Sequence, residues 1–124
     1  MILLANGCSH TAGAEIEYES QGQCYEKAWP SHLGKLLDYT SVNISMSGGS
    51  AHRVVRTTFE YLNTHAESFD YNFKNLLVVI LWPGFYRTEI HSDTPQKHHF
   101  FDDGWCPLIV GNDEQYKKTL KSQD

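Results

Sequence analysis

Cysteine is scarce in this chain of 124 residues: Cys8, Cys24 and Cys106 are odd in number, widely spaced and form no Cys-x-x-Cys pair. A disulfide framework, a zinc knuckle and a dithiol redox motif are therefore not expected. Basic charge is also sparse. Ten Lys and Arg against fifteen Asp and Glu give a formal charge of −5, and the longest basic run is Lys117-Lys118. Nucleic acid is an unexpected partner, because its binding depends on clustered cations that neutralise phosphates. No apolar run approaches the roughly 18 residues of a membrane span, and the first residues lack the charged and long apolar regions of a signal peptide. The expectation is a soluble, cytoplasmic protein with no membrane partner. Gly7 and Gly13 do not complete a Gly-x-Gly-x-x-Gly turn, and the Gly-Lys-Ser/Thr of a P-loop is missing, so no cofactor is expected. There is no internal repeat and no low-complexity segment.

What remains is ordinary folded-domain material, 40% apolar and 13% aromatic, in a length that suits one domain over residues 1–124. The most informative stretch is the first. Ile2-Leu3-Leu4-Ala5 reads as a short buried strand that runs into Asn6-Gly7-Cys8-Ser9-His10-Thr11-Ala12-Gly13, a small-residue turn with a hydroxyl, a thiol and an imidazole. Ser9 is either a residue placed for chemistry at a sheet edge or, with Thr11, a hydroxyl that caps a helix or closes a turn.

Residues 14–27 have no clean period and read as a polar loop. Residues 29–37 carry apolar side chains at Trp29, Leu33, Leu36 and Leu37, with Pro30 in a first turn, which predicts a helix. Val42, Ile44 and Met46 alternate, which predicts a strand over residues 41–46 that ends at Ser47-Gly48-Gly49-Ser50. Residues 51–67 repeat apolar positions at near-helical intervals behind Ser50 as N-cap. Leu76-Leu77-Val78-Val79-Ile80-Leu81-Trp82 reads as a central parallel strand covered on both faces and ended by Pro83-Gly84. Residues 86–101 read as extended or irregular, residues 104–111 as turn-rich, and residues 112–122 as the start of a helix. Strand, helix, strand, helix, strand implies an α/β fold with a parallel sheet and helices layered on it. Its three turns, residues 7–13, 47–50 and 83–87, then leave one edge of the sheet. That is where open α/β folds place their sites.

The three blocks resemble the SGNH or GDSL-type hydrolases, in particular the divergent SGNH-like proteins of phages and marine bacteria. Gly7-Cys8-Ser9-His10-Thr11-Ala12-Gly13 looks like the first block, with Ser9 matching its nucleophile. Val42-Asn43-Ile44-Ser45-Met46-Ser47-Gly48-Gly49 looks like the second, with Gly48 matching the glycine whose N–H binds the oxyanion. Val78-Val79-Ile80-Leu81-Trp82 lies where the third-block strand belongs. The resemblance covers residues 1–90. It implies a three-layer α/β/α, flavodoxin-like sheet and a phage-type serine hydrolase that cleaves acyl or acetyl esters of small molecules or glycans.

Three departures stand out. Cys8 replaces the aspartate before the serine, Trp82-Pro83-Gly84-Phe85-Tyr86-Arg87-Thr88-Glu89 replaces the Gly-x-Asn-Asp of the third block, and the Asp-x-x-His that supplies the base does not occur. The last, with a narrow sheet, leads to the expectation that the chain is the N-terminal part of a longer protein, so that the fold is incomplete at its C-terminus.

Substrate-binding candidates are His10, Gly49, His52, Trp82 and Arg87. His10 adjoins Ser9 and points away from it. His52 is a polar wall or base at the crevice, or an exposed helix residue. Arg87 supplies positive charge to the site or pairs with Glu89 on the surface. Arg53 and Arg56 read as the solvated face of the second helix. Trp82, Phe85, Tyr86 and Trp105 line a cleft or fill the core. His91, His98 and His99, with Asp93 and Asp102, have no helix-borne ligand spacing, and no metal is expected. The alternative to the hydrolase is a non-catalytic SGNH-like module binding a carbohydrate or small ligand in the same crevice, and the blandest reading is a flavodoxin-like domain without a site.

Overall fold

The computed structural model describes residues 1–14, 16, 24–91 and 104–109. Strand β1 (Ile2–Asn6) leads into a one-turn helix α1 (Ser9–Ala12), followed by α2 (Trp29–Leu37), β2 (Thr40–Asn43), α3 (Ala51–Thr64), β3 (Leu76–Ile80), β4 (Arg87–His91) and β5 (Trp105–Ile109). The first three strands form a parallel sheet in the order β2-β1-β3, and β4 pairs with β5 antiparallel. The protein is thus an α/β fold with helices packed on a three-stranded parallel sheet.

The order follows from burial. Leu3, Leu4 and Ala5 of β1 are wholly buried, as a strand with a neighbour on each edge and a helix above and below requires. Leu4 packs with Ile44 and Tyr61, and Val42, Leu62 and Leu76 close that cluster on the α3 side. Burying each such aliphatic side chain contributes about 2 kcal/mol. On the opposite face Gly34 of α2 lies so near Ser41 that an added Cβ would come within 2.9 Å of the Ser41 Cβ. In α3 the buried residues Arg53, Val54, Thr57, Thr58 and Tyr61 form the stripe expected of a helix lying on a sheet. Ser50 caps it, its Oγ accepting from the Arg53 N–H at 3.1 Å.

Several expectations are corrected. The run from Leu76 is not the central strand but lies at one end of the described sheet. Leu77 and Val78 are each 37% exposed, and Leu81 and Trp82 more so. A continuous apolar run reports hydrophobicity, not the number of neighbours a strand has. β2 stops at Asn43, before Ile44 and Met46. The Asn43 Oδ1 accepts from the Ser45 N–H at 3.1 Å and from the Ser45 hydroxyl, a local loop that replaces the ladder. α3 ends at Thr64, and residues 66–69 form a separate single turn. Arg87–His91 is a strand, the extended of the two alternatives for that stretch, and Trp105–Ile109 is a strand where turn-rich chain was expected. Residues 92–103 and the helix expected over residues 112–122 lie outside the described residues, as does most of the loop over residues 14–27.

One polar side chain joins these parts. Asn6 ends β1 and is 1% exposed. Its Nδ2 lies 3.1 Å from the Val54 carbonyl and 3.0 and 2.9 Å from the hydroxyls of Thr57 and Thr58, while its Oδ1 accepts from the Gly7 N–H at 2.8 Å. Truncation would strand the Gly7 donor and remove the amide's bonds to the Val54 carbonyl and the Thr57 and Thr58 hydroxyls in a buried site, so Asn6→Ala is expected to lower unfolding free energy by about 3 kcal/mol, read as a shift in the urea midpoint at unchanged slope.

Candidate functional site

Because β1 pairs in parallel with both neighbours, the three turns leave the sheet at its carboxyl edge. Close backbone packing holds them together. A Cβ on Gly7 would stand 2.8 Å from the Leu81 carbonyl and would collide with the Thr11 hydroxyl, so only glycine lets the first turn touch the third. A Cβ on Gly49 would meet the Gly7 carbonyl at 3.1 Å, which places the second turn against the first. The second turn closes through a bond from the Gly49 N–H to the Met46 carbonyl at 2.9 Å, with Gly48 at φ 77° in its third position. The Asn43 Nδ2 donates to the Thr11 carbonyl at 2.7 Å, clipping α1 to β2.

Ser9 is the first residue of α1 and half-buried. It is not a cap: Cys8 holds that position, buried and without a side-chain capping bond. No imidazole or carboxylate among the described residues hydrogen-bonds the Ser9 hydroxyl. His10 and His52 are exposed, Gly48 is half-buried, Gly49 is buried and Trp82 is 57% exposed. The structure therefore gathers the Ser9, Gly48 and Gly49 turns at one edge, with His52 in the exposed first turn of α3 beside them. Phe85 and Tyr86 are exposed in the third turn, so the cleft-or-core alternative resolves against core for these two and for Trp82.

The arginines were misread in the sequence. Arg53 and Arg56 are not a solvated face: Arg53 is 3% exposed, and Arg56 grips Glu89 through two bonds of 2.9 Å, Nε to Oε1 and Nη2 to Oε2. The Glu89 side chain is 6% exposed and also lies 3.7 Å from the Arg53 Nη1. Arg56 further stacks over Trp105, 5.5 Å from the ring centroid. Glu89 thus does not pair with Arg87, which instead lies over the Tyr86 ring at 5.4 Å. This ion cluster ties β4 to α3 and was invisible to a local reading, since its partners are 33 positions apart. Asn6 was also missed, although a polar residue closing an otherwise apolar strand was the available signal. Among the described residues no group of His, Cys, Asp or Glu is arranged to hold a metal, and His98, His99, Asp93 and Asp102 lie outside them.

A profile of the DUF6071 family, a family of unknown function, matches residues 15–120. The chain belongs to this family. The matched span includes Gly48, Gly49, His52, Trp82, Glu89 and Arg87 and begins six residues after Ser9. No curated protein matches the chain, and no solved structure does. No helix among the described residues is long and apolar enough to cross a membrane.

Tyr25 braces the second turn from beneath, its hydroxyl donating to the Ser45 carbonyl at 2.7 Å. Burial pushes this phenol well above the ordinary tyrosine range, and the Arg53 guanidinium offsets only part of that rise. With the folded pKa raised, the neutral phenol favours the folded state. That contribution is complete below about pH 10, the unfolded value, and is lost as pH rises beyond it. Tyr25→Phe is expected to leave the phenolate absorbance change around pH 10 unaltered, since Tyr25 does not titrate there in the folded protein; a decrease by one tyrosine's share would contradict this.

Proposed function

We propose that the protein is a serine hydrolase of the SGNH type that cleaves ester bonds with Ser9 as nucleophile. The observation that carries this reading is the position of Ser9, directly beyond the innermost strand, in a turn whose Gly7 carbonyl packs against Gly49 of the second turn. The order β2-β1-β3 of parallel strands is also how a flavodoxin-like sheet begins.

In the proposed reaction the Ser9 Oγ bonds to the ester carbonyl carbon, its proton passing to a base outside this constellation. The N–H groups of Ser9 and Gly48 hold the tetrahedral oxyanion. Collapse breaks the ester C–O bond, the alcohol leaves with a proton, and water hydrolyses the acyl-Ser9 ester to the acid. Gly48 suits its part because the positive φ of the turn's third position admits glycine without strain.

A second reading draws on the exposed aromatics Trp82, Phe85 and Tyr86, which suit stacking against a sugar ring: a module that binds a carbohydrate or small ligand without cleaving it. The two part at Ser9. A fluorophosphonate probe is expected to add one adduct at Ser9 by intact-mass and peptide analysis, with none on Ser9→Ala, and 4-nitrophenyl acetate turnover is expected to fall at least about a hundredfold in that variant. A folded wild-type chain that takes up no probe at Ser9 overturns the hydrolase reading and leaves the binding module.

A further inference from the structure

Arg87 carries donors that the fold does not use. Among the described residues its Nε and Nη1, buried from solvent, have no hydrogen-bond partner, and its Nη2 reaches the Tyr86 hydroxyl at 3.4 Å. Guanidinium donors buried in this way are costly unless an acceptor meets them. The obvious acceptor within the protein is already engaged. Glu89 stands two residues on in β4, hence on the same face of the strand, but both its oxygens are bound by Arg56, with Arg53 also beside it. The Arg87 guanidinium lies over the Tyr86 ring, which leaves N–H donors for something else.

The position of Arg87 says where that acceptor would belong. β3 ends at the sheet's carboxyl edge, the Leu81 carbonyl lies against Gly7, and β4 opens six residues later with Arg87. Arg87 therefore follows, six residues on, the Leu81 carbonyl that packs against the turn carrying Ser9.

We propose that Arg87 is an oxyanion-binding residue and that the ester acted on at Ser9 carries a carboxylate or phosphate group, which the guanidinium fork recognises. The substrate half of this inference rests on the hydrolase reading; the anion site does not. Arg presents two parallel N–H edges matched to carboxylate and phosphate alike, so the two sources share one chemistry.

The test has a binding arm and a kinetic arm. In the first, succinate and inorganic phosphate are titrated separately into the 15N-labelled chain while the Arg87 Nε–H resonance is followed. A saturable shift is expected in one series, which identifies the source, with affinity lowered at least about tenfold in Arg87→Gln. Since Nε and Nη1 make no hydrogen bonds among the described residues, Arg87→Gln is expected to melt no lower than the wild type. Should it fail to fold, Arg87→Lys, which keeps the charge and loses the fork, serves in its place with an intermediate loss. No saturable shift in either series, or the same affinity in the variants, overturns the anion site. In the kinetic arm, the preference of kcat/KM for mono-4-nitrophenyl succinate over 4-nitrophenyl acetate is expected to fall at least about tenfold in Arg87→Gln. An unchanged preference overturns the substrate assignment. Turnover of neither ester sinks the hydrolase reading and with it the substrate assignment, while the titration still decides the anion site.

Discussion

The structure depends first on what happens at the end of β1. Asn6 makes five polar contacts from a buried position. Its side chain reaches the Val54 carbonyl and the hydroxyls of Thr57 and Thr58, its Oδ1 takes the Gly7 N–H, and its carbonyl accepts from the Leu81 N–H at 3.1 Å. An apolar residue here would bury as well but would leave the Gly7 N–H without its acceptor and α3 without its tie to β1. The amide therefore sets three things together: the height of α3 on the sheet, the register of β3 at its last pair, and the direction in which the chain leaves β1 toward Ser9. Buried networks of this kind hold a single arrangement because a partial version is worse than none.

How far the fold could be read from the sequence follows from which forces are local. Helix α2 has the bounds its apolar spacing implied, and α3 starts at the expected cap, because periodicity and capping act within a turn or two of chain. The parallel arrangement also followed, since alternation of strands and helices leaves few other topologies. The centre of the sheet did not. Ile2 to Ala5 and Leu76 to Ile80 are equally apolar runs, and only the pairing shows that the shorter one has neighbours on both edges. β5 and its pairing with β4 escaped because an antiparallel pair so distant in sequence leaves no hairpin signal in either strand.

The candidate site divides in the same way. The meeting of the three turns followed from topology, and the glycines that permit it, Gly7 and Gly49, stood inside the small-residue runs that drew attention to them. The charges were the blind spot. An arginine one turn into a helix is ordinarily solvated, and nothing near Arg53 or Arg56 in sequence announces Glu89. Once Glu89 is taken into account, Arg53 and Arg56 each have a carboxylate beside them, whereas the buried Nε and Nη1 of Arg87 have no hydrogen-bond partner among the described residues.

That division of labour among three arginines and one carboxylate has a physical logic. A single buried carboxylate can accept bidentately from one guanidinium and stabilise another at longer range, which is what Arg56 and Arg53 obtain from Glu89. A second carboxylate beside Arg87 would satisfy it and stabilise the hairpin further, at the cost of closing the edge to any anion. Each unmet buried donor costs about 1–3 kcal/mol. Such a departure from local consistency is concentrated, in folded proteins, where a ligand completes what the chain leaves open. The Glu89 cluster supplies the rigidity against which that departure is tolerated: by tying β4 to α3 it holds the strand that carries Arg87 while leaving the Arg87 Nε and Nη1 without a partner among the described residues.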